Sequence, residues 1–137
     1  MASVKMTELI EKMNLKNLTP DIDLSDKVIT IPDINRPALQ LTGYFDYFEF
    51  VRIQIVGYVE YTYLATLPLE RRREIYGELL SYGIPCLIYT TQILPDDEML
   101  RQANERNIPV FATDQRTSTF QAELTRWMPT ILIYYMI

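Results

Sequence analysis

Two short stretches of this chain echo one another in order: Gly83-Ile84-Pro85-Cys86-Leu87-Ile88-Tyr89-Thr90 and Asn107-Ile108-Pro109-Val110-Phe111-Ala112-Thr113. Each sets a residue that tolerates left-handed backbone before an Ile-Pro step and an apolar run, the pattern of a helix end feeding a buried strand. Between them Pro95 suits a first helical turn. Asp96, Asp97 and Glu98 complement that helix's dipole, and Met99, Leu100 and Ala103 supply its apolar face. The unit is strand, helix, strand. The same reasoning makes Arg52 to Val56 an earlier strand, followed by helical segments near Tyr58 to Leu67 and Pro68 to Ser81. Such alternation predicts an α/β fold: a single domain whose mixed, mainly parallel sheet is flanked by helices, with antiparallel or edge strands from the less regular first half.

The last helix is signalled by the capping-box spacing of Ser118 and Gln121 and by Phe120, Leu124 and Trp127 at helical intervals. Pro129 is predicted to end it. That divides the chain into a domain over residues 1–128 and an apolar tail over 129–137. The β-branched and aromatic residues from Thr130 to Ile137 predict an extended strand, docked on its own sheet edge or on that of a second chain in a homodimer. A frayed end is the alternative.

The stretch from Asp33 to Gly57 is dense in less common steps: Arg36-Pro37, Gly43-Tyr44-Phe45-Asp46-Tyr47 and Arg52-Ile53-Gln54. It resembles the N-terminal domain of bacterial HPr kinase/phosphorylase, the bifunctional enzyme that adds and removes a serine phosphate on the sugar-transport carrier HPr. The resemblance begins at a helix around Met6 to Met13, passes through Val28-Ile29-Thr30, and persists to a helix ending near Trp127. It departs at the tail, where the family continues through a polar linker. The resemblance implies a fold similar to the substrate-binding N-terminal domain of the Mur ligases. It also implies a homo-oligomeric parent enzyme in carbon catabolite control, with HPr as protein substrate. ATP or pyrophosphate-linked chemistry, with magnesium, is implied only for a second domain built on a phosphate-binding loop, and the chain stops before such a loop begins.

The residues themselves agree that this chemistry is not here. A phosphate-binding loop needs Gly-Lys before Ser or Thr, and no Gly-Lys pair occurs; all four lysines lie in the first 27 residues. With no histidine, Ser-His-Asp and Cys-His nucleophile systems and the common histidine-containing zinc sites are ruled out. Asp21, Asp23, Ser25 and Asp26 only superficially suggest a calcium loop, because Asp26 stands where glycine is needed and Pro32 where a bidentate Glu is needed. No catalytic residue, metal site or cofactor is therefore expected on this chain.

Composition narrows the remaining roles. A chain of 137 residues, 48% hydrophobic and 23% charged, has enough material for one core without staples. Its net charge of -5 disfavours nonspecific nucleic-acid binding. Arg71-Arg72-Arg73, set between Glu70 and Glu74, reads as a solvated, charge-paired helix face. The single cysteine, Cys86, excludes an internal disulfide, and its apolar neighbours mark it as a buried strand residue. No charged leader with an apolar core precedes Glu8 and Glu11, and the longest apolar run, Ile131 to Ile137, falls short of the ~20 residues a membrane span requires. The expected location is the cytoplasm, with no membrane or nucleic-acid partner.

Two features invite binding. Ligands of parallel α/β sheets lie beyond the carboxyl ends of strands, here Thr90, Thr91 and Gln92 and then Thr113 to Thr119. Arg116, Thr117 and Ser118 would there offer a cation, hydroxyls and helix amides to an anion such as a sugar phosphate or nucleotide; the plainer reading is that Ser118 caps a helix while Arg116 points into solvent. Asp33, Asn35 and Arg36 could likewise face a ligand, or Asp33 and Asn35 could simply shape a turn before proline. The second feature is aromatic density: Tyr44, Phe45, Tyr47, Phe48 and Phe50 form a stacking platform, a subunit contact or part of the core, and Ile131, Ile133 and Tyr135 of the tail offer a separate subunit contact. Three roles follow: a non-catalytic assembly or regulatory domain, a small-ligand module, or a stand-alone homo-oligomeric interaction protein.

Overall fold

A computed structural model describes residues 2–136. A five-stranded sheet forms its centre, in the order β2 (Lys16–Asn17), β7 (Val110–Ala112), β6 (Leu87–Tyr89), β5 (Ile53–Val56), β4 (Ile34–Asn35). The four strands from β4 to β7 run parallel, and β2 closes one edge antiparallel to β7. A separate antiparallel pair joins β1 (Val4–Lys5) to β3 (Val28–Ile29). The fold is thus the α/β arrangement with a mixed, mainly parallel sheet that the alternation of elements predicts.

Strand side chains alternate between two cores, as a sheet covered on both faces requires. Val56, Leu87, Tyr89, Val110 and Ala112 face one cluster, whereas Ile53, Ile55, Cys86, Ile88 and Phe111 face the other. The first cluster is covered by α2 (Ala38–Leu41), α3 (Tyr58–Leu64), α4 (Leu69–Ser81) and α5 (Asp97–Glu105), so each crossover between parallel strands packs on the same face. The opposite face is covered by α1 (Met6–Met13) and α6 (Thr117–Met136). Asp96 caps α5 by accepting from Met99 N at 2.9 Å, and Gly83 and Asn107 both take the left-handed φ, 72° and 62°, that turns a helix end into the next strand.

Polar groups inside the sheet are paired. Gln54, fully buried on β5, accepts from Asn35 Nδ2 at 2.7 Å and donates to the carbonyls of Glu49 and Arg52. Thr19 Oγ1, also fully buried, accepts from Val110 N at 3.0 Å where β2 has already ended.

Three local expectations are corrected. Pro129 does not end the last helix, and Thr130 to Met136 are helical, not extended: α6 runs through the proline because Met128 before it and Leu132 after it are both buried against the second core. Packing on both sides outweighs the lost N–H and the strand preference of the β-branched residues. Within the helical tail Leu132 is buried and Ile131 half-buried, whereas Ile133 to Met136 are exposed, and Ile137 lies outside the described residues. Ser118 does not cap α6, which already begins at Thr117; the first turn is closed by Phe120 N donating to the Arg116 carbonyl at 2.9 Å. Arg72 is not a solvated member of its run: it crosses to Asp96 ahead of α5, while the exposed Arg71 and Arg73 pair with Glu74 and with the largely buried Glu98.

Candidate functional site

The carboxyl ends of the parallel strands converge on Gly57. β4 leads into Arg36, β5 into Gly57 and β6 into Thr90, and α6 opens with Thr117. The φ of Gly57, -108°, is open to any residue. Close approach is what demands glycine: a Cβ there would lie 2.6 Å from Thr117 Oγ1 and 2.7 Å from Arg36 Nη2.

Glu60, in the first turn of α3, is only 3% exposed and ties this spot together. Its Oε1 accepts from Gly57 N at 2.6 Å and from Arg36 Nη2 at 2.7 Å and Nε at 3.1 Å, while Oε2 accepts from Arg36 Nη2 at 3.0 Å. Beside it the hydroxyls of Thr90 and Thr117 are 2.6 Å apart, and that of Thr91 reaches Thr117 at 3.4 Å. Thr91 and Gln92 adopt successive left-handed φ values of 62° and 60°, and the turn is held by Thr91 N donating to the Gln115 carbonyl at 2.8 Å. Backbone of this kind persists only where its surroundings hold it.

Chemically this is a clasp. Arg36 is already neutralised by a resident carboxylate, both oxygens of that carboxylate are engaged, and the threonine hydroxyls bond to one another and, from Thr90, to the Val56 carbonyl. Glu60 engages Nε and Nη2 of a guanidinium that stays 33% exposed, so an anion would meet only the Nη1 edge of a charge already offset. Elsewhere Cys86 is fully buried, and desolvation pushes its thiol well above the ordinary range, which removes it as a nucleophile. Among the described residues no cluster of carboxylates and thiols is arranged to hold a metal.

Of the residues expected to bind, Arg36, Thr90 and Thr117 meet here. Arg116 and Ser118 are exposed beside the clasp, and Asp33 is exposed. Asn35 is turned away into the sheet, toward Gln54 and Gln40, so it does not face the same point. Sequence reasoning missed Gly57 and Glu60, although Gly57-x-x-Glu60 carries the spacing by which a glutamate at the third helical residue reaches back to a helix's capping N–H. Of the expected contact residues, Phe45 and Phe48 belong instead to the core, packed on Tyr82 with ring centroids 5.4 and 5.1 Å away. Tyr44, Tyr47 and Ile133 are exposed; Ile131 is half-buried, and Tyr135 donates to Glu8 of α1.

The family model for the HPr Serine kinase N terminus matches residues 4–128, which include the whole clasp. This chain belongs to that family. Among curated members, the HPr kinase/phosphorylase of Lachnoclostridium phytofermentans is 44% identical over 128 residues, covering 93% of this chain and 41% of the relative. Those of Alkaliphilus metalliredigens and Streptococcus pneumoniae R6 are 33% and 35% identical, covering 98% and 96% of this chain but 45% and 42% of themselves. The chain therefore spans less than half the length of the HPr kinase/phosphorylases it matches. A solved structure of the CBS and DRTGG domains from the regulatory region of Clostridium perfringens pyrophosphatase, complexed with diadenosine tetraphosphate, superposes with a TM-score of 0.64. It covers 96% of this chain and 49% of that one at 19% identity, a likeness of fold. No helix among the described residues is long and apolar enough to cross a membrane.

Proposed function

We propose that this chain acts as the non-catalytic N-terminal domain of an HPr kinase/phosphorylase, with an assembly or regulatory role in carbon catabolite control. The observation that carries this reading is the family match over residues 4–128, set against relatives more than twice as long. On this reading ATP and magnesium are handled by the remainder of such an enzyme, HPr is its protein substrate, and the whole works as a homo-oligomer in the cytoplasm. The clasp supports it because Glu60 spends both carboxylate oxygens on Gly57 and Arg36, which suits a fastening better than a reaction centre. Exposed aromatic and aliphatic side chains support it as well: Tyr47 is 96% exposed, and Tyr58 and Val59 of α3 are 61% and 67% exposed. Such residues suit contact with another folded surface.

The test uses HPr and labelled ATP. The chain alone is expected to yield no phosphoserine. Added to the catalytic portion of the Lachnoclostridium phytofermentans relative, it is expected to raise the mass seen by light scattering or to alter the balance of kinase and phosphorylase rates. Phosphoserine formed in proportion to this chain alone would overturn the reading.

A further inference from the structure

On the face of the sheet covered by α3, α4 and α5, a cleft of about 250 Å³ opens between α3, α4 and the segment joining β6 to α5. Its walls are Tyr61, Leu64 and Ala65 on one side and Leu94 and Pro95 on the other, and Tyr89, the last residue of β6, forms its floor. Arg72, Tyr76 and Asp96 make up the remaining wall.

The polar groups here are unequally satisfied. Asp96 is saturated: it accepts from Arg72 Nη1, from Tyr76 Oη at 2.8 Å and from Met99 N at 2.9 Å. That pairing offsets the charge of Arg72, whose Nε nevertheless stays buried without a hydrogen-bond partner among the described residues. Tyr89 differs. Its side chain is 98% buried, its hydroxyl has no hydrogen-bond partner among the described residues, and it is not among the polar atoms sealed from solvent. The hydroxyl therefore opens into the cleft. A buried tyrosine ordinarily finds a partner for its oxygen, so a hydroxyl presented at the bottom of an apolar-walled cleft is placed to meet one from outside.

We propose that this cleft is a binding site for a small neutral molecule with a planar apolar body and one hydrogen-bonding head, of the size and class of an aromatic amide. The planar body would lie between Tyr61 and the Leu94–Pro95 side, and the head would bond the Tyr89 hydroxyl. Neutrality follows from the offsetting charges of Arg72 and Asp96, and the cleft lies where parallel α/β sheets hold their ligands, beyond a strand's carboxyl end. Burial, with Tyr76 and Asp96 nearby, holds the Tyr89 hydroxyl in its protonated form far above neutral pH, so it remains available to donate to a carbonyl.

Benzamide serves as the probe, followed by amide chemical shifts of the whole chain. Saturable changes centred on Tyr61, Leu64, Tyr89 and Leu94 are expected, with a Kd on the order of 1 mM, as befits so small a ligand. Tyr89→Phe should weaken binding about fivefold, the worth of one neutral hydrogen bond. Ala65→Trp, at an exposed position on the cleft wall, should abolish binding without disturbing the core, so the site can be tested even if Tyr89→Phe fails to fold. Toluene, which lacks the head, should bind more weakly than benzamide. Shifts that map elsewhere or never saturate, binding unaltered by Ala65→Trp, or benzoate binding more tightly than benzamide would each overturn the proposal.

Discussion

Glu60 has two duties, closing the turn at Gly57 and neutralising Arg36. Glu60→Ala leaves a buried N–H and a guanidinium without partners. It is expected to lower the unfolding free energy by about 2–3 kcal/mol in urea titration, less than a wholly sequestered pair would lose because Arg36 retains 33% exposure. Gly57→Ala acts through space, not charge: the new methyl group meets Thr117 and the pinned end of Arg36, and a loss of about 1–3 kcal/mol is expected by the same measurement. A variant as stable as the parent would show that the clasp can open at no cost. Cys86 provides a third probe at this scale. Sealed in the second core, its thiol should react with an aromatic disulfide reagent only as fast as the domain unfolds, and rapid labelling of the folded chain would contradict that burial.

Among the elements, the seam between α4 and α5 is fastened by Glu98, which accepts from Arg101, from Gln102 at 3.0 Å and from Arg73 at 3.3 Å. These bonds, that from Arg101 foremost, hold its carboxyl at about 2, below its ordinary 4.5. The folded state thus binds this proton less readily than the unfolded chain does. The stability it contributes is complete above about pH 4.5 and is lost as pH falls toward about 2, so Glu98→Gln should flatten the acid limb of a thermal-stability profile across that window. At the other end of the chain, α6 makes opposite predictions for adjacent residues. Leu132→Ala should cost about 2–4 kcal/mol because Leu132 is buried, whereas Ile133→Ala, at an exposed position, should stay within about 0.5 kcal/mol. Equal effects in chemical denaturation would mean that the turns after Pro129 do not dock as a helix. This is where the sequence was hardest to read. The strand-helix-strand unit around Asp97 to Glu105 was legible because caps, left-handed residues and apolar runs all agreed. Pro129 was misread because local chemistry argues for a stop, and only the burial of Met128 and Leu132 on an element distant in sequence overrules it. The clasp was half legible for the same reason: the position of Thr90 and Thr117 follows from sheet topology, but the partnership of Arg36 with Glu60, 24 residues apart, is a tertiary fact.

In the molecule as a whole, two apolar clusters lie on opposite faces of one sheet, and its central strands β5, β6 and β7 each contribute to both. Neither face can melt without exposing the backs of the same strands. Fluorescence of Trp127, packed on the second cluster, and helical circular dichroism, which also reports α3 to α5 on the first, are therefore expected to change at one urea midpoint. Separate midpoints would show two independent cores. The arrangement also brings the two ends of the fold together. Ala2 and Met136 border one apolar cleft, and Tyr135 reaches Glu8 of the first helix, so the polypeptide leaves the sheet's far side close to where it entered. A chain with adjacent ends is a cassette: it can be spliced into a surface loop of another protein without prising the host apart, or rewired by joining its ends with a short flexible bridge and opening it at the exposed Ser25–Asp26 step.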